Sequence, residues 1–126
     1  MKRLIYALII LLFITTVSIL GGIMICQYCE KSKEELMFCA SLCEEEKWQE
    51  VENQSSKIID AWEKREKLMA VFIDHKLLDN VSDSVYTLPV YAKTRNKNDY
   101  YAQCSKIATS LNRIKATQTV SIENFY

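Results

Sequence analysis

The apolar positions along the chain fall into two regimes. Leu4 to Cys26, "LIYALIILLFITTVSILGGIMIC", is apolar apart from Thr15, Thr16, Ser18 and two glycines. Beyond it, apolar residues return periodically. Between Trp48 and Ile73 they stand at Trp48, Val51, Ile58, Ile59, Trp62, Met69, Phe72 and Ile73. These spacings fit one face of a helix, with Lys57, Glu63, Lys64 and Lys67 lying largely off it. A preceding helix is expected to continue from the apolar run through about Glu46, burying Leu36, Cys39 or Ala40, and Cys43. A third runs from about Lys76 through Leu77, Leu78, Val81, Val85 and Leu88, with a kink or break at Pro89, whose ring clashes with the preceding turn. A fourth follows "RNKND", with Asn98 or Asp99 as N-cap, and buries Tyr101, Cys104, Ile107, Ala108, Leu111 and Ile114. Val120, Ile122 and Phe125 in the tail are expected to pack back on the helices.

The pattern predicts an all-α fold: a transmembrane helix, then about four amphipathic helices in two antiparallel hairpins, as a bundle or a short solenoid. Aligning Trp48 with Tyr101 puts Val51 on Cys104 and Ile58 on Leu111, a faint internal echo that favours stacked hairpins slightly. An all-β domain is disfavoured, because no glycine and only Pro89 punctuate residues 27–126.

The apolar run is long enough to cross a bilayer, whose hydrocarbon core of about 30 Å takes roughly 20 helical residues. It exceeds the h-region of a signal peptide, and no A-x-A-like cleavage site follows it. Lys2 and Arg3 have no acidic neighbour, whereas "EKSKEE" beyond the run is mixed, so the positive-inside rule places the N-terminus in the cytoplasm. The expected organisation is residues 1–3 cytoplasmic, 4–26 the anchor in contact with membrane lipid, and 27–126 an extracytoplasmic helical domain. Three inner residues are too few for an output domain. Lys plus Arg (16) equals Asp plus Glu (16), so no basic field points to nucleic acid.

Candidate chemistry is sparse. His75, the single histidine, follows Asp74 and precedes Asp79 by four residues. Asp74, His75 and Asp79 could form a general base or part of a metal site, with Ser82 or Ser84 available as a nucleophile. A metal site normally needs three or four ligands, and no second histidine exists. The structural reading makes Asp74 the cap of the third helix. His75 is then a corner residue, bonded to a neighbouring helix and packed on Trp62 or Phe72. Cys26, Cys29, Cys39 and Cys43 mimic a four-thiolate zinc pattern. They lie along one expected helix, however, where about 15 Å separates the pairs at 1.5 Å per residue. Cys43 and Cys104 are expected as small buried residues, and a disulfide from Cys39 or Cys43 to Cys104 is open if the first and fourth helices touch. Glu44, Glu45 and Glu46 suit a solvated helix start, with a cation or basic-partner site as the other reading. Asn53 and Asn80 match glycosylation sequons, meaningful only in a eukaryotic secretory host. "NDYYAQ" and "IENFY" offer aromatic surface to a partner.

The stretch "EEKWQEVENQSSKIIDAWEKREKLMAVFIDHKLLDNVSDSV", a second amphipathic pair and the ending "SIENFY" resemble domain-of-unknown-function family 4363. The matching features are Trp48 opening a helix, Trp62, and Phe72 to His75. The resemblance implies a small single-span helical protein like those of clostridia and related bacteria, and supplies no mechanism. The expected role is therefore non-catalytic, without cofactor or metal: an interaction or accessory module for another membrane or envelope protein. The rival is an extracytoplasmic enzyme or metal/ligand-binding protein centred on Asp74, His75 and Asp79.

Overall fold

The structure, a computed structural model, describes the backbone of residues 1–125 and the side chains of residues 1–118. The described residues form four α-helices and no strand: α1 (Lys2–Glu44), α2 (Trp48–Met69), α3 (His75–Lys93) and α4 (Lys97–Phe125). α1 packs on α2 and α4, and α3 packs on the same two. The helices thus close into an up-down-up-down bundle of two antiparallel hairpins, with α1 and α3 on one diagonal, rather than a solenoid-like stack. This topology is the one short connections between sequential helices favour.

One repeat organises the core. Buried residues fall at Ile25, Cys29, Ser32, Leu36, Cys39 and Cys43 on α1, and at Val51, Ser55, Ile58, Trp62 and Met69 on α2. On α3 they are Leu78, Val81, Val85, Leu88 and Ala92, and on α4 Tyr100, Cys104, Ile107, Leu111 and Ile114. Steps of four and three alternate, averaging 3.5 residues, the spacing that keeps one seam facing its partners in a left-handed bundle. The α2 series steps over Arg65, which sits at the position the repeat reserves for the core. Its guanidinium reaches Glu35 Oε1 at 2.8 Å and Oε2 at 3.3 Å, and Ser32 Oγ at 2.8 Å. A two-pronged carboxylate partner and a hydroxyl satisfy a charge that would otherwise be costly to bury.

The phase of the repeat corrects the fourth helix. Tyr101 was expected inside, but Tyr100 is fully buried and Tyr101 is 48% exposed. Both phases share Cys104 and Leu111, and the bundle takes the one that lets the Tyr100 hydroxyl meet Ser55 Oγ at 2.8 Å. Because Ser55 donates to the Val51 carbonyl at 2.7 Å, the tyrosine is the donor. Trp62 Nε1 similarly donates to Ser82 Oγ at 2.8 Å. The cap of α4 is also corrected: Asn96, not Asn98 or Asp99, accepts from the Asp99 N–H at 3.2 Å, while its amide donates back to the Asp99 carboxylate.

Pro89 neither breaks nor ends α3, which runs unbroken from His75 to Lys93. Val85 and Leu88 before it and Ala92 after it are buried on the same seam, so packing holds the turn whose hydrogen bond proline removes. Glu44, Glu45 and Glu46 also move. They close α1 and form its turn, since α2 begins only at Trp48.

α1 changes environment along its length. From Leu4 to Leu20 its large apolar side chains are exposed except for the half-buried Ile19, and the first buried residues are Gly21, Gly22 and Ile25. The helix is long and apolar enough to cross a membrane. It enters the bundle without a break, so the last residues of the 4–26 run also belong to the bundle core.

Candidate interaction surface

Between α1 and α4 runs a shallow, mostly apolar groove. Leu36 and Cys104 belong to the core beneath it, and Met37, Ala40, Tyr101 and Ala108 form its walls. The heptad phase produces it. With Leu36, Cys39, Tyr100 and Cys104 turned inward, their sequence neighbours Met37, Ala40 and Tyr101 stand on the flanks. Small Ala40 and Ala108 leave the depression between larger walls. Met37 is 70% exposed, and Phe38 beside it on α1 is 52% exposed. A thioether and aromatic rings at the edge of an apolar groove suit contact with another apolar surface. Ser105 adds one hydroxyl to the lining.

A second groove, between α3 and α4, is polar, with Asn80, Asp83, Ser84, Lys106, Thr109 and Arg113 among its walls. Toward the Gly21 end of the α1–α4 contact, Lys115 Nζ donates to Glu30 Oε1. That bond and the lysine's charge hold the Glu30 carboxyl below its ordinary pKa.

The histidine corner comes out differently from the sequence expectation. Asp74 is the N-cap of α3, accepting from the Lys76 N–H at 3.3 Å. His75 and Asp79 are exposed. Neither a hydrogen bond nor an ion pair joins the His75 side chain to any described residue, so the bond to a neighbouring helix expected of it is not made. The ring beside the seam is Phe72, which lies over Gly21: a Cβ at Gly21 would fall 2.7 Å from Phe72 Cε1 and Cζ. Among the described residues, no group of three or more His, Cys, Asp or Glu side chains could hold a metal ion. The arrangement does not favour chemistry centred on Asp74, His75 and Asp79.

The cysteines are free. Cys29, Cys39, Cys43 and Cys104 are buried along the seam. Burial pushes the Cys39 thiol up to about 11, and the Cys29 and Cys104 thiols up to about 12. A protonated, buried thiol is a poor nucleophile and a poor metal ligand. α1 and α4 do touch, and Cys39, Cys43 and Cys104 share the distal core with Tyr100. Burial and the nearby Cys39 raise the tyrosine's own pKa.

Sequence reasoning missed Arg65, Ser55 and Tyr100 as core positions, because each is polar or next to a more conspicuous apolar residue. Extending the 4-3 alternation from Val51 through Ile58, Trp62 and Met69 would have found the first two.

No curated protein and no solved structure matches this chain. The family described as Domain of unknown function (DUF4363) matches residues 23–125, which is the bundle without the exposed apolar stretch of α1. The match spans most of the sequence and covers all four sides of the bundle, and the chain belongs to that family.

Proposed function

We propose that the protein is a single-pass, membrane-anchored helical module that acts by binding a neighbouring membrane or envelope protein, without catalysis of its own. Lys2 and Arg3 favour a cytoplasmic N-terminus and a bundle outside the cell membrane. The observation that carries the reading is the exposed α1–α4 groove walled by Met37, Ala40, Tyr101 and Ala108. Because α1 runs from the apolar segment into the bundle without a linker, the groove is held at a fixed height and rotation above the bilayer. Such a fixed surface suits a partner in the same membrane better than a freely diffusing one. Its binding strength would rest on a few apolar and aromatic anchors rather than on charge.

Purification of the full chain from native membranes in mild detergent tests this. The expected result is one stoichiometric membrane partner, lost with Met37→Glu or Tyr101→Glu while the helical circular dichroism signal and melting temperature are kept. Retention of the partner by both folded variants, or no partner across detergents, contradicts the reading.

A further inference from the structure

The turn between α2 and α3 is the one connection at the anchor end of the bundle, and it is apolar where the two distal turns are charged. Its residues are Ala70, Val71, Phe72 and Ile73, followed by Asp74, the cap of α3. Ile73 is buried, but Val71 is 76% exposed and Phe72 is 39% exposed. Leu68, in the last turn of α2, is 50% exposed. Lys67 and Lys76 flank this patch, with Asp74 between them.

The height of the turn is fixed by Phe72, whose ring lies against Gly21. A bilayer core of about 30 Å needs roughly 20 residues of helix. Counted from Leu4, just past Lys2 and Arg3, that length reaches Ile23. The lone part of α1 ends earlier, at Leu20, and the bundle begins at Gly21. A span of about 20 residues therefore takes in Gly21 and Gly22 and ends at Ile23, which is 46% exposed. A hydrocarbon boundary at that length lies at the level of Gly21 and of the turn beside it.

Resting on the anchor reading, we infer that the α2–α3 turn is a second membrane contact: Leu68, Val71 and Phe72 sit at the hydrocarbon boundary of the leaflet into which the bundle emerges. Lys67 and Lys76 lie at headgroup level. Apolar side chains at that depth, with lysines reaching the headgroups, are the arrangement that interfacial segments adopt. The contact removes Val71 from water and fixes the bundle's tilt as well as its height. It also accounts for a single helix corner placing three large apolar side chains outside a well-packed core.

The test uses the full chain in vesicles of phosphatidylcholine and phosphatidylglycerol whose acyl chains are brominated at shallow or at deep positions. Val71→Trp reports on the turn and Leu12→Trp on the span, each read against the parent with Trp48 and Trp62. The expected result is loss of the Val71→Trp fluorescence with shallow bromines and of the Leu12→Trp fluorescence with deep ones. Quenching of Leu12→Trp without Val71→Trp overturns the turn contact and leaves the anchor standing. Quenching of neither overturns both.

Discussion

At the scale of single residues, the seam between α2 and α3 separates a cap from a bystander. Asp74 accepts the Lys76 N–H at the start of α3, whereas the His75 side chain is exposed and makes no bond to the described residues. Asp74→Ala should therefore lower stability by about 1 kcal/mol, the usual cost of losing an N-cap. His75→Ala should stay within about 0.5 kcal/mol of the parent, as exposed substitutions do. Urea unfolding of the two variants checks the contrast, and a larger loss for His75→Ala would mean that the imidazole has a partner this structure lacks. The same scale explains the buried hydroxyls. Ser55, Tyr100, Trp62 and Ser82 are tolerated because each polar atom has a partner at 2.7–2.8 Å, which offsets the cost of removing it from water.

At the scale of elements, the two distal turns share one design. After α1, the Glu46 N–H bonds the Cys43 carbonyl at 3.1 Å and the Lys47 N–H bonds the Leu42 carbonyl at 3.1 Å. After α3, Arg95 bonds Ala92 at 3.2 Å and Asn96 bonds Tyr91 at 3.1 Å. These are paired Schellman closures, and the pivot residues Glu46 and Arg95 have φ of 59° and 55°. Glycine is the residue that usually fills such a pivot, and a side chain there is strained. Glu46→Gly and Arg95→Gly should each raise stability by about 0.5–1 kcal/mol, read as a shift in the denaturation midpoint without a change in slope. A loss from either would show that the side chain contributes more than its backbone strain costs. Helix existence and order were legible in the sequence, since Val51, Ile58, Trp62 and Met69, or Leu78, Val81, Val85 and Leu88, mark a stripe unaided. The pivots were not, because Glu46 and Arg95 are ordinary charged residues with no glycine to signal a left-handed turn. Propensity alone predicts a kink or a break at Pro89; the break does not occur, because the packing of Leu88 and Ala92 overrides it.

At the scale of the whole molecule, the sequence left bundle and solenoid open. Aligning Val51 with Cys104 and Ile58 with Leu111 matches core positions with core positions, yet the pairs face one shared interior rather than successive layers. What closes the ring is the contact of α1 with α4, which no local pattern encodes. The groove between those helices was equally illegible, since it depends on the phase of α4 and on which tyrosine turns inward. The apolar stretch of α1, by contrast, was plain from composition alone, and it sets the frame in which the bundle presents Met37 and Tyr101.

The central claim is that the α1–α4 face docks a membrane neighbour. A photoreactive amino acid placed at Met37, and separately at Asp83 on the α3 side of the bundle, tests it in intact membranes. The account predicts one discrete crosslinked membrane partner from position 37 and none from position 83. No crosslink from position 37, or the same products from both positions, would contradict it.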